Sequence, residues 1–285
     1  MFAGIGRLGI PAATKFAEKG WKVVISYREG RSSEETVKKL ESENIKGYAA
    51  EISNRKEAKK FITCAYDEYK RVDALINIAS WYPNEEKDWK RWAQGDKATD
   101  DDWKYYDSNF TPIRNASLEV LNLSNNPAKD VSIINFADSR SLLYLNQNYI
   151  DPYEQIGGVV NVEIDHIKDI GFEQLRKIKA PNRHINPYTL SKRDIVYLTK
   201  KLAIDYQGGK IRVNAIAPGP MLPPPDRTME EVQPIAEQTL LKRWGYEEPI
   251  TKAIMFLLIN KYITGEILKV DGGFYLYQKA KGKSK

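Results

Sequence analysis

Along the first half of the chain, short β-branched runs alternate with stretches whose apolar positions recur at helical spacing. Lys22-Val23-Val24-Ile25-Ser26-Tyr27 is apolar at its centre without a break, as a strand buried on both faces is. Ser33 to Glu43 has helical periodicity, with Ser32 or Ser33 as its cap. Gly47 to Ile52 predicts the next strand and Arg55 to Tyr69 the next helix. Asp73 to Ile78 and Val131 to Phe136 predict two more strands. Strands separated by helices in this way need parallel crossovers, so the pattern predicts an α/β fold with a doubly wound parallel sheet. Without internal repeats or a low-complexity linker, residues 1–285 read as a single domain.

Two segments break the rhythm. Pro83 to Asp102 is charged and carries Trp89 and Trp92, and a helix starts at Thr99, followed by three aspartates. A long insertion runs from about 142 to 185, ahead of a helix that opens near Pro187. It holds a strand-like run, Gly158 to Ile164, and a helix-like run, Phe172 to Ile178. Long connections at the carboxyl ends of parallel strands tend to cover a ligand crevice. The insertion therefore predicts a lid, with a plain surface insertion or an oligomer contact as the alternatives.

Composition narrows the function classes. The single cysteine, Cys64, excludes an internal disulfide framework and a cysteine-cluster metal site, and fits a reducing, cytoplasmic setting. His166 and His184 lack metal-ligand spacing, so no metal is expected. No apolar run is long enough to span a bilayer, and no membrane partner is expected. The net charge is +6, part of it in a tail with Lys279, Lys281, Lys283 and Lys285. Such a run without defined geometry reads as a solvated end, and nucleic acid is not an expected partner. Steeply salt-dependent binding would mark the opposite case.

Ala3-Gly4-Ile5-Gly6-Arg7-Leu8-Gly9 leads straight into a helix from Pro11 to Lys19. Glycines at a strand-to-helix turn let backbone N–H groups approach a pyrophosphate at the positive helix end. After the second strand come Tyr27 and Arg28, with Ser32 close behind, where an acidic residue would grip an unphosphorylated ribose. A guanidinium with nearby hydroxyls suits a phosphate dianion and favours NADP over NAD. The strand that should precede this turn is expected to be missing or truncated. Met1 already lies inside the turn, so the natural start is expected several residues upstream.

Tyr188-Thr189-Leu190-Ser191-Lys192 puts a phenol and an ammonium on one helical face. An adjacent cation should lower the phenol pKa from its ordinary value near ~10. Farther on stand Arg212-Val213-Asn214-Ala215-Ile216-Ala217-Pro218-Gly219-Pro220, Ile263-Thr264-Gly265-Glu266 and Val270-Asp271-Gly272-Gly273. In order and spacing these motifs resemble the short-chain dehydrogenase/reductase family, from Ala3 to Gly273. The resemblance implies a Rossmann-like domain, hydride transfer from NADPH to a C=N or C=O bond of a small substrate, and a homodimer or homotetramer.

It also implies roles for particular residues. Tyr188 would be the proton donor, Lys192 would tune it and bind the nicotinamide ribose, and Asn109 would hold a relay water. Gly4, Gly6, Arg7, Leu8 and Gly9 would cradle the pyrophosphate. Glu51 and Ile52 would flank the adenine, Asn77, Ala79 and Ser80 would end a cofactor-side strand, and Pro218, Gly219 and Met221 would flank the nicotinamide.

Asp138 occupies the place of the family's usual serine, with Ser139 beside it. This, the Arg7-Leu8-Gly9 turn and Ala79-Ser80-Trp81-Tyr82-Pro83 resemble the pteridine reductases, where Trp81 would stack on a pterin. The alternative for Trp81 is simple packing. A carboxyl with a raised pKa can relay a proton to a ring nitrogen, whereas a serine donates to a carbonyl. Should Ser139 slip into the serine's role, the chain would be an ordinary ketone or 3-oxoacyl-type reductase. A non-catalytic NADP-binding sensor or assembly protein is a further alternative.

Overall fold

In the computed structural model, residues 1–82, 91–92, 98–124, 130–145, 186–208 and 210–282 are described. The insertion beyond residue 145, with its lid, strand-like and helix-like expectations, lies outside them, as do Pro83, Trp89, His166, His184, Lys283, Lys285 and the Ser32 side chain.

The apolar runs form strands: β1 (Phe2–Ala3), β2 (Val23–Tyr27), β3 (Ile45–Ala49), β4 (Ala74–Asn77), β5 (Val131–Phe136), β6 (Ile211–Pro218) and β7 (Ile267–Val270). They make one sheet in the order β3-β2-β1-β4-β5-β6-β7, with every pairing parallel. Reversal of strand order at β1 gives the Rossmann-like doubly wound topology, whose crevice lies beyond the carboxyl ends of the strands.

The periodic stretches form α1 (Gly9–Glu18), α2 (Ser32–Leu40), α3 (Arg55–Tyr69), α4 (Trp103–Ser124), α5 (Pro187–Asp205), α6 (Met229–Ala236), α7 (Glu247–Ile259) and α8 (Phe274–Gly282). One core layer joins Phe61 and Ile62 of α3, Phe110 and Ile113 of α4, and Ile195 and Leu198 of α5 to Leu75 and Ile133 of the sheet. The other joins Phe16 of α1, Val37 of α2 and Ile254 and Leu257 of α7 to Ile25, Ile76 and Ile216. A parallel sheet covered on both faces explains why its strands read as unbroken apolar runs.

Three expectations need correction. The first strand is present as two residues, and Met1 precedes it instead of lying inside the turn: Phe2 pairs with Ile25 and Ile76, and Ala3 with Asn77. Two residues hold the centre of the sheet because Phe2 and Ala3 are buried and Ile76 N–H donates to the Met1 carbonyl at 2.9 Å. β3 begins and ends earlier than its apolar pattern suggests, since its partner β2 ends at Tyr27. Ala50 and Ile52 instead pack into the core from the turn that follows. At the start of α4, Asp100–Asp102 form a turn of 3-10 helix before the α-helix proper.

Between the layers runs a buried polar ladder. Asn77 Nδ2 donates to Ser117 Oγ (3.0 Å) and to Asn135 Oδ1 (2.8 Å), and Asn135 Nδ2 donates to Thr199 Oγ1 (3.0 Å). It ties β4 and β5, which pair at Asn77 and Asn135, to helices α4 and α5. Asn77 is the last residue of β4, and its side chain is engaged in this ladder. Among the described residues, no helix is long and apolar enough to cross a membrane.

Candidate active site

The site forms where the ends of β4 and β5 meet the start of α5. Asn186 caps α5 by accepting the Thr189 N–H (2.8 Å), and Pro187 sits in the first turn, where its missing N–H costs nothing. Tyr188 is thereby fixed in the first helical turn and Lys192 in the second. Both are buried, at 6% and 1% exposure. The Lys192 ammonium donates to the Phe136 carbonyl at the end of β5 (3.2 Å) and lies 5.8 Å from the Tyr188 ring centroid.

Asp138 caps a turn of 3-10 helix, Ser139–Tyr144, with Oδ1 accepting the Arg140 N–H at 2.8 Å. Its other oxygen, Oδ2, accepts the Tyr188 hydroxyl at 3.1 Å. Ser139 is fully buried, and its Oγ has no hydrogen-bond partner among the described residues. The geometry therefore joins Asp138, not Ser139, to the phenol.

The electrostatics reverse one expectation. Tyr188 has a pKa well above that of a free phenol, first because burial penalises phenolate, then because the Asp138 charge repels it. The nearby Lys192 does not overcome these effects, and burial lowers its own pKa to about 8, against the pull of Asp138. Tyr188 thus carries its proton at neutral pH and is an acid in waiting rather than a phenolate.

Opposite stands the end of β4. Ser80 Oγ donates to Asn109 Oδ1 (3.0 Å) and also lies within hydrogen-bonding reach of the Tyr188 phenol, where it works against the rise in pKa. Asn109 Oδ1 also accepts the Trp81 N–H (3.1 Å), while Nδ2 donates to the Trp81 and Tyr105 carbonyls (2.9 and 2.6 Å). The Asn109 side chain is engaged in pinning the strand exit to α4. The sequence reading missed Tyr82, whose ring meets that of Tyr188 edge-on at 5.2 Å. Its adjacency to Trp81, in the same loop after β4, was the available signal.

The glycine turn has the form a dinucleotide needs. Gly4 adopts φ +77°, and a Cβ there would lie 2.3 Å from Ala79 Cβ. At Gly6 nothing lies within 4 Å of a Cβ position, and α1 begins at Leu8 and Gly9 without a side-chain cap. The Gly9 and Ile10 N–H groups close the turn on the Gly6 carbonyl (2.9 and 3.1 Å), and the positive end of α1 behind it suits a pyrophosphate. Arg7 Nη1 donates to the Pro223 carbonyl (2.9 Å), joining the turn to the loop after β6.

In that loop, Gly219 N–H donates to the Val270 carbonyl (3.1 Å), and Met221 pairs with Gly245. Arg28 and Glu51, assigned above to phosphate and adenine, pair with each other at 2.8 Å, each about two-fifths exposed. Ile52 is buried in the core, Tyr27 is half-buried, and Ala79 is the close neighbour of Gly4. No group of three or more potential metal-binding side chains occurs among the described residues.

Residues 2–141 match the family described as short chain dehydrogenase, and residues 175–275 match Enoyl-(Acyl carrier protein) reductase. The chain is 26% identical to an uncharacterized oxidoreductase of Thermotoga maritima, over 95% of this chain and 94% of that one. It is 24% identical to carbonyl reductase family member 4 of Danio rerio, over 97% of each. Among solved structures, ElxO with NADP bound matches with a TM-score of 0.70 at 18% identity, covering 96% of each chain. A variant actinorhodin polyketide ketoreductase with NADPH matches with a TM-score of 0.68 at 18% identity, over 94% of this chain and 93% of that one. At such identities the two structures speak to the fold. With both ends of the chain matched and relatives similar over nearly its whole length, this chain belongs to the short-chain dehydrogenase/reductase family of oxidoreductases.

Proposed function

We propose that the protein is an NADPH-dependent reductase in which Tyr188 protonates the substrate and Asp138 takes the serine's place. The hydrogen bond from Tyr188 to Asp138 carries this reading. Bound NADPH would supply the hydride. Gly4, Gly6, Arg7, Leu8 and Gly9 would hold its pyrophosphate, Arg28 its 2′-phosphate, and Lys192 its nicotinamide ribose. Pro218, Gly219 and Met221 would lie along the nicotinamide. NADP-bound structural neighbours support the phosphorylated cofactor.

The carboxylate selects among substrates. An ionised Asp138 accepts hydrogen bonds and would repel a carbonyl oxygen, whereas it can hold an N–H or amino edge. This favours a ring C=N bond in a pterin-like substrate, with Tyr188 delivering the proton to nitrogen. Spectrophotometry of NADPH and NADH oxidation with a dihydropterin and a ketone tests it. Asp138→Ser should cost the dihydropterin roughly 10–100-fold in kcat/KM, as loss of a charge-assisted hydrogen bond does, and the ketone less. An unchanged ratio would sink the pterin reading. The carbonyl reductase relative favours a ketone as the second reading. We also propose a homodimer or homotetramer, to be checked by light scattering.

Lys192 gives this reading a pH signature. Its pKa is near 8 in the cofactor-free protein, so the ammonium that would meet the ribose is present below that pH. Cofactor contact should raise that pKa, and NADPH affinity should fall as pH rises above about 8. Fluorescence titration from neutral to alkaline pH should show the fall in the wild type and lose it in Lys192→Met.

A further inference from the structure

We infer that Tyr82, rather than Trp81, is the specificity-determining residue of this site, its ring forming the wall against which substrate is held at the Tyr188 hydroxyl. The inference rests on the reductase reading above. Adjacent residues in the loop after β4 diverge. Trp81 is drawn to α4: its ring lies 5.1 Å from that of Tyr105, the Lys104 ammonium stands 5.8 Å from its centroid, and Asn109 binds both its N–H and its carbonyl. Tyr82 goes the other way, with its ring 5.2 Å from that of Tyr188 at an interplanar angle of 77°.

The charges of Arg140 and Asp138, at the exit of β5, and of Arg227, in the loop that follows β6, act on the Tyr82 phenol. The Arg140 guanidinium is steadied 5.4 Å from the Phe274 ring of α8. Even so, Tyr82 keeps 48% of its surface exposed. A half-exposed aromatic ring beside a buried acid, with charged groups around its hydroxyl, offers the apolar face and the polar rim that small-molecule sites combine. The ring limits how bulky a group can stand next to the reacting bond.

The test compares kcat/KM for cyclohexanone and the bicyclic 1-tetralone, with NADPH, in wild type, Tyr82→Ala, Tyr82→Phe and Trp81→Ala. Tyr82→Ala should raise the tetralone-to-cyclohexanone ratio about tenfold, as removal of an aromatic wall does, and Tyr82→Phe should preserve it. A ratio that stays put in Tyr82→Ala, or that shifts in Trp81→Ala instead, overturns the assignment. A second measurement needs no turnover: titration of Tyr188 by NMR with 13Cζ-labelled tyrosine, its signal identified by loss in Tyr188→Phe. Tyr82→Ala should admit water and bring the Tyr188 titration to lower pH, while Trp81→Ala leaves it in place. If the wild type oxidises NADPH with neither ketone nor a dihydropterin, the reductase reading fails, and the titration alone decides for or against Tyr82. An unmoved Tyr188 in Tyr82→Ala overturns the assignment.

Discussion

Replacing Tyr188 with phenylalanine is expected to lower the rate of NADPH oxidation by about 10²–10⁴-fold, the span that a positioned general acid supplies. A thousandfold loss corresponds to about 4 kcal/mol of transition-state stabilisation. Only the hydroxyl disappears. The ring keeps its place beside Tyr82 and under Lys192, so NADPH binding, read by fluorescence, should change little. The expected size follows from the environment: burial and Asp138 hold the phenol protonated, and its hydroxyl donates to Asp138 at the exit of β5. Water is a poor substitute, because the side chain is only 6% exposed. A loss smaller than tenfold would place the acid elsewhere, and Asp138 would be the next group to test.

The second large effect concerns the fold that carries the cofactor turn. Gly4→Ala should lower the melting temperature by roughly 5–15 °C in a thermal unfolding scan. The left-handed backbone at φ +77° costs an L-residue about 1–2 kcal/mol. The new methyl would sit 2.3 Å from Ala79 Cβ, an overlap that costs about 1–3 kcal/mol once the backbone shifts. In a domain of this size each kcal/mol moves the midpoint by about 2–4 °C. Ala79→Gly in the same chain should return part of the loss, since it removes the opposing methyl. Gly6→Ala should leave the midpoint alone, because its Cβ meets nothing, and should weaken NADPH binding instead. Equal melting temperatures for Gly4→Ala and wild type would mean that the turn can move away from β4.

Local signals were legible wherever one residue or one period decided the outcome. Helix α3 begins and ends as its pattern predicts, with Asn54 capping its start by accepting the Lys56 N–H at 2.9 Å and Lys70 turning left-handed (φ 52°) at its end. β5 likewise keeps its predicted bounds, since all six of its residues are buried. β3 did not, because strand ends depend on where the partner strand stops. The chain shows Asn77 at a strand end, and only the register with Asn135 reveals that its side chain turns inward.

At the site, the sequence by itself determined the cast: the spacing of Tyr188 and Lys192, Asp138 where a serine is usual, and the glycine turn ahead of α1. These are short-range facts, set by helical pitch and by which residues can take a tight turn. Tertiary structure decided what that cast does to one another. It raised the Tyr188 pKa where a neighbouring lysine alone would have lowered it, because desolvation depends on everything packed around the group. It paired Arg28 with Glu51 across two strands, buried Ser139, and turned Trp81 toward α4 while Tyr82 faced the acid. Distances between residues remote in sequence, and the water they exclude, are properties of the packed chain.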